Sequence, residues 1–445
     1  MKKTIVSIFI GLTLSGAALA DDLATVFQLA QANDPVINRA KAQKEAAYAG
    51  INVSRASLLP QISGSVSYSD SDRESLFGAA IASSVSTSIS YGIDLNMSLY
   101  DHANWVGLDR AELVAQQSDA NLGATLQTLM LRTVNAYLAV LREQDNVEFV
   151  KAELRAIERQ LEQTKQRFEV GLTAITDVHE AQANFDNTVA RQIRAENLLE
   201  LRLEELREIT GKYHDNISVL DTDMFSATSP SPANVSEWLD IAKDSNLDLL
   251  VQRFAKDLAK EDIDIIKSGH YPTLGLRAGI SRSQTDQTFN GQPSDDNPWL
   301  DSESITLSAS IPIYQGGSVT ANTERARANY VVASENLELV YRQTVRQVRS
   351  SFNDVKAAVS TIRALEQSVV SAESALRATE AGFDVGTRTI VDVLNSTRNL
   401  FDARRNLADA RYNFVVAIVS LKQAAGTLTV DDLNDINRVL KPATS

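Results

Sequence analysis

With 57 acidic against 43 basic side chains in 445 residues, the chain carries a formal charge of −14, which argues against nucleic-acid binding, a function that needs basic patches. There is no cysteine, so disulfide frameworks and thiolate sites are both ruled out. Only 6% of residues are aromatic, while Ala, Gln, Asn, Ser and Leu abound, a balance that suits long helices better than one globule.

Residues 1–20 read as a signal peptide. Lys2 and Lys3 supply the charged start, the stretch 5–14 the apolar run, and Ala18-Leu19-Ala20 the small-residue cleavage site. The run is too short to span a bilayer as a helix, and no later stretch reaches the roughly 20 apolar residues required. Export would start the mature chain at Asp21 and, with Lys2 and Lys3 gone, take the charge to −16. Such a surface or lumen attracts cations.

A first repeat is expected over 21–220. A short helix (23–31) and a medium one (36–57) lead to Pro60 and a β-hairpin over about 61–100. There Ile62, Gly64, Val66 and Tyr68 alternate with serines, and Val85, Thr87, Ile89, Tyr91, Ile93, Leu95, Met97 and Leu99 alternate with small or polar residues, the period of a strand with two unlike faces. The polar stretch 70–82 is predicted as a surface loop. A long helix follows over 102–168, about 100 Å at 1.5 Å per residue, then a turn at 170–173 and a helix over 175–209. No proline interrupts 61–229. Met130, Val134, Tyr137 and Leu141, then Val150, Leu154, Ile157 and Leu161, recur near the 3.5-residue coiled-coil period.

Residues 221–234, with Ser-Pro-Ser-Pro, form the predicted linker. The second repeat, 235–426, has the same order: helices over 235–243 and 248–267, Pro272, and a β-hairpin over about 273–314 with a loop at 284–301. A Pro-free helical stretch then leads to a turn at 385–388 and a helix over 390–421. Residues 427–445 form a tail with a helical turn or two from Asp431.

Four strands cannot close a barrel, and open edges do not survive in lipid. The strands therefore form either a sheet with one wet face or part of a barrel shared between chains. Two chains would supply eight strands and three would supply twelve; periodicity does not choose. The mostly Ser and Gly face opposite the apolar one, with Asp94 and Arg277, suits a water-filled lumen.

The turns repeat in sequence as well as in order. Arg167-Phe168-Glu169-Val170-Gly171-Leu172-Thr173-Ala174-Ile175-Thr176-Asp177-Val178 returns 215 positions later as Gly382-Phe383-Asp384-Val385-Gly386-Thr387-Arg388-Thr389-Ile390-Val391-Asp392-Val393. With Leu58-Leu59-Pro60-Gln61, Leu206-Arg207-Glu208-Ile209-Thr210-Gly211 and Pro312-Ile313-Tyr314-Gln315-Gly316-Gly317, these elements resemble the TolC-type outer-membrane efflux proteins over essentially the whole mature chain.

That resemblance implies an α+β membrane protein. Three chains would form a twelve-stranded outer-membrane β-barrel, continuous with a long periplasmic α-helical barrel in a Gram-negative cell. It implies the exit duct of tripartite efflux pumps and type I secretion systems, passing drugs or proteins to the exterior. The partners would be a periplasmic adaptor (membrane fusion) protein and an inner-membrane RND, MFS or ABC transporter, with no cofactor. By the same resemblance Val170, Gly171 and Leu172, with Val385, Gly386 and Thr387, are the adaptor-docking turns. Gln166, Thr176, Asp177, Phe383 and Arg388 match a latch that closes the mouth. Asp392 matches one acidic ring of the constriction, but Asn395 stands where a second acid is expected. Phe383 replaces an expected tyrosine and lacks its hydroxyl.

The competing expectation for Asp392 is a helix cap in Thr389-Ile390-Val391-Asp392, a pattern that Ala174 denies to Asp177. The competing expectation for the whole chain is a soluble periplasmic coiled-coil adaptor or scaffold, which explains the hairpins and leader but not four alternating strands. His102, His179, His214 and His270 have no metal-ligand spacing and are expected at surfaces or interfaces. Metalloprotease and phosphate-loop motifs are absent, so the chain reads as non-enzymatic.

Overall fold

The computed structural model describes residues 21–442 other than 78–79 and 294–295; the expected signal peptide at 1–20 lies outside them. In chain order come α1 (Leu23–Asn33), α2 (Pro35–Ala56), β1 (Gln61–Phe77), β2 (Ala80–Tyr100), α3 (His102–Glu169), α4 (Ile175–Thr210), β3 (Val219–Leu220), α5 (Val235–Ser245) and α6 (Leu247–Lys267). The second half continues with β4 (Thr273–Phe289), β5 (Gln292–Pro293), β6 (Leu300–Ser310), α7 (Ser318–Asp384), α8 (Ile390–Ala424), α9 (Val430–Asn437) and β7 (Leu440–Lys441). Two compact units result, each drawing on both sequence halves. One comprises Ala40–Leu122 and Leu247–Arg342; the other comprises residues up to Arg39, Gly123–Asn246 and Gln343 onward.

The first unit carries an antiparallel sheet in the order β1-β2-β4-β6, with β5 against the end of β4. Its register aligns residues in rows. Ile62, Leu95, Ala278 and Ile305 lie side by side, as do Val66, Tyr91, Arg282 and Asp301. Hairpin succession puts β2 beside β4, so the two sequence repeats meet at the centre of one sheet.

The strands run further than predicted. The expected loop at 70–82 is mostly ladder, with Asp70 opposite Thr87 and Asp72 opposite Val85. Likewise β4 continues to Phe289. The misreading has a physical cause. Polar residues on both faces look like a loop, yet they hold an extended hairpin through cross-strand bonds such as Thr87 Oγ1 to Asp70 Oδ1 at 2.9 Å. At the other end β6 stops at Ser310, short of the expected 314. Pro312 has no N–H for a ladder, and the segment ends in Gly316 and Gly317 at φ 63° and 80°.

The second unit buries most of the predicted helical stripe, with Leu154 only half-buried. Met130, Val134, Tyr137, Leu141, Val150, Ile157 and Leu161 of α3, and Phe352, Val355, Val359 and Ile362 of α7, are all buried. Spacings of three and four put these side chains on one helix face, where each loses most of its water contact. Around the same helices α1 packs on α4 and α9. The tail belongs to this packing: β7 pairs with β3, and the Asn437 side chain accepts from the Leu23 N–H at 3.1 Å and donates to Asp22 at 2.7 Å.

His214 corrects the surface expectation. It is 1% exposed, with Nδ1 2.8 Å from Asp21 and Nε2 2.9 Å from Thr210 Oγ1. A buried ring needs partners on both nitrogens, and these two tie residue 21 to the end of α4. Spacing for metal ligation could not reveal that role.

Candidate functional site: hairpin tips and outward sheet face

The two tips share one backbone geometry. At the first, the Gly171 N–H bonds the Phe168 carbonyl at 2.9 Å and the Leu172 N–H bonds the Arg167 carbonyl at 2.8 Å. At the second, Gly386 bonds Phe383 at 3.0 Å and Thr387 bonds Gly382 at 2.8 Å. This is the Schellman ending of a helix, which needs a left-handed residue. Gly171 and Gly386 both have φ 76°. A Cβ at either glycine would meet nothing within 4 Å, so backbone conformation alone demands glycine inside the chain.

The tips present apolar side chains outward. Val170, Leu172 and Val385 are 69–75% exposed. Beneath them Phe383 is buried with Ile157, Ile390, Val393 and Leu394. The Arg167 guanidinium lies over the Phe383 ring, 4.5 Å from its centroid, and within 4.0 Å of Asp384. Arg167 therefore joins the first tip to the second through a cation–π contact. The missing hydroxyl at 383 had hidden this alternative.

The other latch candidates are not gathered within one chain. Gln166, Thr176 and Arg388 are exposed, and Gln166 donates to Glu162 at 3.4 Å. Asp177 accepts from the Thr173 hydroxyl and from the Ala174 N–H. It is a helix-start cap after all. Ala174 removes the reciprocal hydroxyl, but Thr173, one position earlier, supplies another. Both halves thus keep an Asp for a local reason.

Asp392 makes the fuller cap. Its Oδ2 accepts from the Thr389 N–H at 2.9 Å and the Thr389 hydroxyl at 3.0 Å, while its own N–H donates to Thr389 Oγ1 at 3.3 Å. Those bonds, first the backbone one and then the hydroxyl, hold its carboxyl below the usual range, and the Arg388 charge adds to them. Asn395, one turn on, accepts from the Arg398 guanidinium. Arg398 was not singled out from the sequence. It places a cation beside the position where a second acid was expected.

The outward face of the sheet is bare and mainly apolar, with Glu303 sharing it opposite Ile280. Ile62, Val66, Ile93, Ile280, Ile305 and Leu307 are all more than half exposed. A rim of aromatic and charged groups bounds them on one side. Tyr91 stacks on Trp299 with centroids 5.8 Å apart, and Arg282 lies 5.4 Å from the Trp299 centroid and 3.4 Å from Asp301. On the other side lie Tyr100, and His102 against Tyr271 at 5.2 Å. The opposite face is polar, with Arg277 Nε donating to Asn96 Oδ1 at 2.8 Å. An apolar band between aromatic girdles, backed by a polar face, is the wall of a membrane barrel. Among the described residues no helix is long and apolar enough to cross a membrane; the strands are the membrane element.

Strands for a barrel wall, joined in sequence to long helical hairpins, define a membrane channel rather than a soluble scaffold. The chain belongs to the outer membrane efflux protein family, whose model matches residues 26–212 and 238–427. It is similar to outer membrane protein TolC of Vibrio cholerae serotype O1, 44% identical across 97% of this chain and 96% of the relative. It is also similar to the proteases secretion protein PrtF of Dickeya chrysanthemi, at 28% identity across 97% and 94%. Among solved structures CusC superposes with a TM-score of 0.78 at 18% identity, covering 92% of both chains. The chain is an outer-membrane efflux channel, of the fold class in which three chains join a β-barrel to a helical one. Its family is one of transport channels rather than enzymes.

Proposed function

We propose that this channel is the common exit duct of assemblies in which a periplasmic adaptor joins it to an inner-membrane RND, MFS or ABC transporter, for drug and protein cargo alike. The two hairpin tips dock the adaptor. The observation that carries this reading is the pair of equivalent turns, whose apolar Val170, Leu172 and Val385 are exposed. Apolar patches left bare on a polar unit mark contact surfaces. The test replaces Val170 and Val385 together with Asp, which leaves both glycines and their caps in place. Trimers should persist on gels while drug efflux from cells falls to the level of a deletion strain. Efflux at the normal level with both aspartates would remove the tips from docking.

Gating and selectivity belong to the same end. Arg388 bonds Thr176 or Asp177 on a facing helix and, with Gln166 and Phe383, holds the mouth closed. Arg388→Ser should raise single-channel conductance in planar bilayers, and an unchanged conductance would take Arg388 out of the gate. Asp392 carboxylates, one per chain, attract cations at the constriction through the oxygen that the cap leaves unused. Asn395 and Arg398 together weaken that attraction.

A further inference from the structure

We propose that the helical unit holds a site for a phosphate-sized oxyanion, formed by Arg191, Arg194 and Arg405 over the buried carboxylate of Glu153. Arg191 and Arg194 come from α4, Arg405 from α8 and Glu153 from α3. The Glu153 side chain is 0% exposed. A buried carboxylate is costly unless paired, and here the pairing is lopsided. Oε1 accepts from Arg191 Nη2 at 2.6 Å, but Oε2 has no hydrogen-bond partner. Arg405 Nη2 lies 4.0 Å from Oε2, beyond hydrogen-bond reach. Arg405 itself bonds Asp402 through Nη1 at 3.0 Å, which leaves Nε and Nη2 buried and unpartnered.

Three guanidinium groups therefore face two carboxylates, with unsatisfied donors on the cationic side. The three arginines border a cavity of about 210 Å³, with the Glu153 carboxylate behind them rather than on its wall. Val150, Ala195 and Leu198 form its apolar wall. An apolar wall on one side of this open pocket lowers the local dielectric and so strengthens charge-assisted bonds against it. Arg194 spends its Nε on the Ala190 carbonyl at 3.2 Å and keeps its fork at the opening. Planar forks bind oxyanions through paired N–H groups. One tetrahedral oxyanion would satisfy Arg405 and Arg194 together and would tie α8 to α4. Glu153 then holds the arginines in position and competes with the ligand for them.

That competition gives the test its sign. Purified trimer in detergent is titrated calorimetrically with inorganic phosphate at constant ionic strength, with chloride as the control. Saturable binding with one site per chain is expected. Arg194→Gln, at an exposed position, and Arg405→Gln should each weaken it by about tenfold, the worth of one bond to a charged group. Glu153→Gln should tighten it, since the competing carboxylate is gone. An ionic staple with no ligand predicts the reverse: no saturable heat, and a Glu153→Gln protein that melts earlier whether or not phosphate is present. A flat wild-type titration, or unchanged binding in both Arg194→Gln and Arg405→Gln, overturns the proposal.

Discussion

Ile305→Arg should prevent or weaken membrane assembly, and the sheet register says by how much. A strand rises about 3.3 Å per residue, so at a tilt near 40° each residue descends about 2.5 Å through the bilayer. Tyr91 and Tyr100 bound the apolar face of β2 and are nine residues apart. A bulge between Ser98 and Tyr100 makes this eight ladder steps, Arg282 to Leu274 on β4, a depth of about 20 Å, near the height of a barrel's apolar band. Leu95 lies near its middle, and Ala278 and Ile305 share its cross-strand row, so at this tilt Ile305, two strands away, lies within about 6 Å of the same depth. Ile305 is 82% exposed in the single chain; a neighbouring chain pairs the free edge of β6 in the barrel, but the side chain stays on the outward face, where an arginine meets lipid. Arginine at the midplane costs about 2–4 kcal/mol, hence about 6–12 kcal/mol for three chains. Thr306→Arg faces the polar side and should be tolerated. Ile89→Arg is the sharper control. Its parity is that of the apolar face, but it lies two residues beyond Tyr91, about 5 Å outside the band, where the cost falls to roughly 0–1 kcal/mol. The assay is refolding into liposomes, scored by urea-dependent loss of heat-resistant trimer on gels. Equal losses for Ile305→Arg and Thr306→Arg would refute the lipid face, and Ile89→Arg as damaging as Ile305→Arg would refute the depth scale.

Gly426→Ala should destabilise far more than Gly211→Ala, although both have φ near 75°. The strain of a left-handed alanine, about 1–2 kcal/mol, is common to both. At 426 the Cβ would also lie 2.2 Å from the Ser245 carbonyl oxygen, whereas at 211 it meets Asn33 at an ordinary 3.5 Å; thermal melts with equal losses would exclude the clash. Asp392→Ala should abolish channel block by trivalent cobalt hexammine from the periplasmic side. Asn395→Asp should strengthen the block, less than a free acid would because Arg398 pairs with it; recordings alike in wild type and both variants would leave Asp392 as a cap alone. Asp145→Asn should flatten part of the pH dependence of stability. Burial pushes the Asp145 carboxyl up, against the lowering effect of the Tyr412 hydroxyl 2.6 Å away. An acid with a raised folded pKa holds a proton that the unfolded chain releases. Wild type should therefore gain on the variant as pH falls through the raised value towards 3.8; a pH-independent difference would sink that assignment.

Much of this architecture was legible because two periods were strong. The 3.5-residue stripe of α3 and the two-residue alternation of β2 each report a single continuous environment, core in one case and lipid against water in the other. Part of what was hidden depended on partners far away in sequence, and part on local side-chain geometry that composition does not show. Glu153 occupies a buried position one residue from the expected stripe residue Leu154, and only the arrival of Arg191 and Arg405 makes that tolerable. His214 looked like a surface residue because its partners are a residue at the start of the first repeat and one at the end of α4. The extension of β1 past Asp70 was hidden because composition separates loop from strand only where one strand face is apolar. At the tips the sequence repeat located the turns, while Thr173 in the Asp177 cap and Arg398 beside Asn395 emerged only with side-chain geometry.

The knot of hydrogen bonds around residues 21–23 has a bearing on biogenesis. The Leu23 N–H waits for a side-chain oxygen 414 residues later, and Asp22 waits for the same asparagine. During synthesis the first segment of the helical unit to leave the ribosome is thus among the last to find its partners. A chain interrupted before residue 430 can form its long hairpins but leaves α1 without α9 and β3 without β7. Closure of this belt therefore waits for the last residues of the chain: limited proteolysis should cut a chain truncated before residue 430 faster than the full-length protein, and equal rates would show that the belt adds no protection.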